Sequence, residues 1–68
     1  MCIGMPAQII EFLPDQPELA QARVSGVRRL ISVALLAEDP PRPGEWVLTH
    51  TGIALSKLSA AEAAAISG

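Results

Sequence analysis

The segment Asp39-Pro40-Pro41-Arg42-Pro43-Gly44 places three prolines and a glycine in six residues, so no helix can run through the middle of this chain. Proline fixes φ and lacks the amide hydrogen that a helix interior needs, and it is equally poor inside a paired strand. Residues 37–45 therefore read as a surface loop. Other punctuation divides the remainder. Pro14-Asp15-Gln16-Pro17 is a turn, Ser25-Gly26 is a two-residue hairpin turn, and the last extended stretch is broken or bulged at Gly52.

Between these breaks lie five short extended runs: residues 7–12, 18–24, 27–36, 46–51 and 53–57. In the second, Ala20, Ala22 and Val24 alternate with Gln21 and Arg23, the period of a half-buried strand, although its alanines leave a helix as the competing reading. In the third, Val27, Ile31, Val33 and Leu35 share a face with Arg29 as the exception, and the β-branched content favours a strand. A single 68-residue domain of short strands and turns predicts an all-β, five-stranded antiparallel barrel, over about residues 7–58. Residues 1–6 read as an exposed arm, because Gly4 and Pro6 disfavour a helix there. The helix signal comes last: Ser59-Ala60-Ala61-Glu62 is a capping box, with Leu58 and Ala63 at the staple positions, opening a short helix over about 59–67.

Composition excludes several roles. Seven acidic against five basic side chains give a net charge of −2, and Phe12 and Trp46 are the only aromatic residues, so a nucleic-acid module has neither a basic surface nor stacking rings. No stretch approaches the roughly 18 consecutive apolar residues of a membrane span. One cysteine forms no internal disulfide, which points to a reduced, cytoplasmic setting. No paired carboxylates, phosphate loop or Ser/His/Asp set stands out, and the chain reads as a non-enzyme.

Two residues carry chemistry. Cys2 lies directly behind the initiator methionine, whose removal would leave an amine and a thiol on adjacent carbons. Such a head group can ligate a soft metal or act as a nucleophile; the bland alternative is a small buried hydrophobe. His50 shares a strand face with Trp46 and Leu48 by alternation. It is either a hydrogen-bonded histidine at a barrel rim or a base or second ligand beside Cys2. Linear spacing leaves open whether residues 2 and 50 meet. Trp46 reads as a core or rim anchor, and Arg28 and Arg29 as solvated side chains facing opposite ways, with a partner surface as the alternative for one of them.

The opening Met1-Cys2-Ile3-Gly4-Met5-Pro6-Ala7-Gln8-Ile9 resembles the N-terminal signature of the HypC/HybG/HupF family of [NiFe]-hydrogenase maturation chaperones. Gly44-Glu45-Trp46-Val47-Leu48-Thr49-His50-Thr51-Gly52-Ile53-Ala54 is similar to that family's other shared segment. The resemblance implies an OB-like barrel that binds the HypD-type iron–sulfur scaffold and the hydrogenase large-subunit precursor. It also implies a cargo, iron as Fe(CN)2CO shared with a partner. Cys2 and His50 would contact the iron, and Cys2, Ile3, Gly4, Met5 and Pro6 would form the docking arm. Ala7 stands where many members have Gly, Thr49 and Thr51 flank His50 in place of apolar residues, and Ile53 replaces a frequent Phe. The alternative from a different class is a metal-free protein adaptor of the same barrel type.

Overall fold

A computed structural model describes residues 4–67. The elements run β1 (Met5–Leu13), β2 (Gln16–Val24), β3 (Val27–Ser32), a short 3-10 turn (Ala34–Leu36), β4 (Trp46–His50), β5 (Ile53–Leu58) and α1 (Ala60–Ser67). The strands close into a barrel in the order β1-β2-β3-β5-β4, the expected small OB-like architecture. One ladder departs from the expected antiparallel pattern: β3 and β5 are parallel and meet through Ser32 and Ile53.

The lumen of so small a barrel is narrow, and the sequence fills it by setting a large inward side chain against an alanine. Ile9 pairs with Ala22 and Phe12 with Ala20 across β1 and β2; Val47 pairs with Ala7 across β4 and β1, and Ile31 with Ala20 across β3 and β2. Ala7, Ala20, Ala22 and Ala54 are wholly buried, and Ile9 and Val47 are the largest fully buried side chains. This settles residues 18–24 as strand: the alanines that suggested a helix are the small halves of those pairs. It also accounts for Ala7, whose methyl group is part of the packed interior.

Two of the three two-residue hairpins, β2–β3 and β4–β5, use left-handed backbone at two successive residues, Ser25 and Gly26 (φ 51° and 79°) and Thr51 and Gly52 (φ 52° and 83°). This is the type I′ turn whose twist matches that of the strands it joins. The long loop returns to β4 through a turn in which Glu45 N–H donates to the Arg42 carbonyl at 2.9 Å. Pro43 and Gly44 (φ 92°) take its two central positions, as a type II turn requires.

Three expectations about element limits change. First, β1 begins at Met5, not Ala7, and Pro6 is buried within it, so the expected arm over residues 1–6 shortens; residues 1–3 lie outside the described residues. Proline is tolerated there for a geometric reason. Both backbone groups of Ile9 are used on the β4 side, so residues of the other parity, Pro6 included, face β2. β2 has already ended at Val24, opposite Ala7, and no ladder bond is lost. Second, β3 ends at Ser32, not residue 36. The β-branched run stops at Val33, whose N–H donates to the Glu18 carbonyl at 2.7 Å, and the 3-10 turn that follows leaves Leu35 67% exposed, off the face assigned to it. Third, Gly52 is a turn residue, and the bulge in the last hairpin falls at Leu55, between the pairs Leu48–Ser56 and Thr49–Ala54.

The capping box forms as read. Glu62 N–H donates to Ser59 Oγ at 3.1 Å, and Ser59 N–H donates to the Glu62 carboxylate at 2.9 Å. Ala63 is buried as α1 packs on β1, β4 and β5. The bonds from the Ser59 backbone and then its hydroxyl hold the Glu62 carboxyl below its ordinary value. Its contribution is therefore complete above the usual carboxylate range and is lost as the pH falls through the depressed folded value. Acidification should fray α1, seen as loss of helical circular dichroism and faster amide exchange at residues 63–66, and Glu62→Gln should remove that pH response. In the lumen, Ile9→Ala should cost about 2–5 kcal/mol, and Ala22→Leu about 1–3 kcal/mol through overpacking, both read from urea denaturation midpoints.

Candidate functional site

His50 ends β4 and is half-buried. Alternation puts Val47 and Thr49 in the interior and Trp46, Leu48 and His50 on the outer face, as the period-two reading required. β1 lies alongside in antiparallel register, Met5 opposite Thr49 and Pro6 opposite Leu48. The entry of the N-terminal segment into the barrel is thus fixed at the end of β4 that carries His50.

Two local features hold this corner. The buried Thr49 hydroxyl donates to the Met5 carbonyl at 2.9 Å, which ties the start of β1 to the residue before His50. The buried Thr49 thus serves this corner through its hydroxyl, which finds its partner within the barrel. Gly4 supplies the second. A Cβ at Gly4 would come within 2.5 Å of the Leu48 side chain, so glycine is the residue that allows the incoming chain to lie this close to β4.

The turn after His50 is strained. Thr51 is β-branched and sits at φ 52°, where only glycine, asparagine and aspartate are readily accommodated. Its hydroxyl donates to the His50 carbonyl at 2.6 Å, a local bond that supports the conformation. Sharp reversal at Thr51-Gly52 sets His50 directly opposite Ile53. The His50 ring makes no hydrogen bond with another described residue, so the rim histidine is found in its expected place without a bond to its ring.

An open depression of about 700 Å³ runs along this end of the barrel, with Met5, Arg29, Leu30, Ile31, His50 and Gly52 among its walls. A second, of about 520 Å³, lies on the other side of the entering chain and includes Gly4, Pro6, Trp46 and Ile66. Of the residues singled out from the sequence, Gly4, Met5, Pro6, Trp46 and His50 thus gather around the chain entry, while Cys2 and Ile3 lie outside the described residues. Arg28 and Arg29, read as solvated, border the depression that His50 lines. Their charge was plain in the sequence, but their position depends on how the barrel closes. Among the described residues no three His, Cys, Asp or Glu side chains come together, and no helix is long and apolar enough to cross a membrane.

Comparison with known proteins places this barrel among hydrogenase maturation factors. The chain is 42% identical over 67 residues to hydrogenase maturation factor HybG of Escherichia coli (strain K12), covering 96% of this chain and 82% of HybG. It is 44% identical over 66 residues to hydrogenase maturation factor HypC of Rhodobacter capsulatus, covering 94% of this chain and 69% of that protein. A Frd operon uncharacterized protein C of Proteus vulgaris is 40% identical over 65 residues. The HupF/HypC family model matches residues 1–67, and the chain belongs to that family.

The strain at Thr51 is open to test. Thr51→Asn, which suits the first central position of a type I′ turn, should stabilise the protein by about 1 kcal/mol in urea denaturation. A loss of stability would show that the Thr51 hydroxyl bond outweighs the backbone cost.

Proposed function

We propose that this member of the family acts as a carrier in [NiFe]-hydrogenase maturation, holding Fe(CN)2CO transiently through Cys2 and His50 while docked first to a HypD-type iron–sulfur scaffold and then to the hydrogenase large-subunit precursor. The observation that carries the reading is the fixed entry of the N-terminal chain beside His50, in a family member whose match includes residue 2. Two peptide units span at most about 7 Å, so the Cys2 backbone is leashed within that distance of Gly4. This tether supports assigning the thiol a role together with His50, at the end of the barrel where the chain enters.

The donor set suits temporary custody. A thiolate is a suitable donor to a low-spin iron that already bears cyanide and carbonyl, and imidazole is an acceptable second ligand. Permanent storage calls for a closed shell of protein ligands, as in structural metal sites. One thiol and one imidazole leave positions open, which favours release to a partner. Gly4, Met5 and Pro6 support the same reading as a docking surface, since all three border the second depression and Met5 borders the first as well. A reduced cytoplasmic setting fits a chemistry that depends on a free thiol.

Infrared spectroscopy of the protein isolated anaerobically from its host with its partners tests this. Cyanide and carbonyl bands should accompany the wild type, vanish in Cys2→Ala, and weaken or shift in His50→Ala, with both variants retaining the barrel by circular dichroism. Full hydrogenase maturation by folded Cys2→Ala would overturn the carrier role, and a partner complex that forms without those bands would leave the metal-free adaptor as the function.

A further inference from the structure

β3 has one covered edge and one open edge. Toward β2 it is paired throughout, from Val27 opposite Val24 to Ser32 opposite Leu19. Toward β5 the pairing among the described residues is confined to Ser32 with Ile53, so residues 27–31 have no strand beside them on that side. The direction of the backbone groups follows from the hairpin. A two-residue type I′ turn makes Val24 and Val27 a hydrogen-bonded pair, and bonded and non-bonded pairs then alternate. Val27, Arg29 and Ile31 direct their amides and carbonyls at β2; Arg28, Leu30 and Ser32 direct theirs outward. Ser32 bears this out, its N–H donating to the Gly52 carbonyl at 2.8 Å.

We infer that the outer edge of β3 is a docking strand for an extended acidic segment of another protein, which adds to the barrel by backbone pairing at Arg28 and Leu30. Edges with unpaired amides and carbonyls are templates for strand addition, and this one also carries contact surface: Val27 is 50% and Leu30 48% exposed. Charge selects the occupant. Arg28 and Arg29 are adjacent and exposed; Arg28 holds Glu11 at 3.1 Å in a solvent-exposed pair, and Arg29 has no ion-pair partner among the described residues. A second copy of this chain would bring these arginines against their own counterparts, an unfavourable cross-strand arrangement, whereas an acidic strand would match them. The open edge borders the depression that His50 lines, so side chains of a docked segment would extend toward the chain entry. The inference does not depend on iron.

Amide exchange measured residue by residue by NMR tests it in two steps. In the free protein the Arg28 and Leu30 amides should exchange about tenfold or more faster than those of Arg29 and Ile31. Adding a short capped peptide of alternating valine and glutamate at low salt should slow exchange at Arg28 and Leu30 and shift their resonances saturably. The corresponding valine–lysine peptide should not. Arg29→Glu should weaken the response several-fold, and Arg29→Lys should largely retain it. The inference fails if Leu30 is already protected in the free protein or if its protection rises with protein concentration alone. It fails equally if the acidic peptide leaves both amides unchanged, or if Arg29→Glu responds like the wild type.

Discussion

Closure of the barrel rests on β1, which pairs with β2 along one edge and with β4 along the other. Every other feature of the site depends on that double pairing. It brings Gly4 and Met5 to the end of β4, sets Met5 against Thr49, and makes the choice of glycine at position 4 a matter of clearance from Leu48. A barrel with so little room inside tolerates closure because Ile9, Ile31 and Val47 each meet an alanine across the sheet. Had the alanines of β2 been larger, the same alternation would have driven the strands apart instead of around one another.

The corner at His50 combines order with strain. The Thr49 bond to Met5 and the capped helix packed over β1, β4 and β5 hold the barrel side firmly, while Thr51 occupies backbone space that its side chain disfavours. Strain of this kind persists only where the surrounding structure over-determines it. Here the two strands that flank the turn do so, and the outcome is a histidine presented at a rigid rim beside the point where the N-terminal chain enters. A proposed site shared between a leashed thiol and a rim imidazole takes half its geometry from the fold and leaves the other half to the partner.

Much of this was legible in the residues, where the signals were local. Proline and glycine marked the turns, period two placed Trp46, Leu48 and His50 on one face, and Ser59 and Glu62 announced the helix start, because each depends on neighbours in the chain. Closure was not local. The parallel contact of β3 with β5, the early end of β3 at Ser32, the bulge at Leu55 and the inclusion of Met5 and Pro6 in β1 all follow from bringing the first strand back to the fourth. Arg28 and Arg29 illustrate the consequence: as sequence they are two solvated charges, and only the uncovered edge of β3 gives them a place. Family likeness supplied the reading of Cys2, which periodicity and composition left between reactive terminus and incidental thiol.

The central claim is that thiol and imidazole act at one iron, and X-ray absorption at the iron edge of the anaerobically isolated, loaded protein tests it most directly. A shared site gives a sulfur scatterer lost in Cys2→Ser together with an imidazole scattering pattern lost in His50→Gln. An iron environment unchanged by either substitution would contradict it.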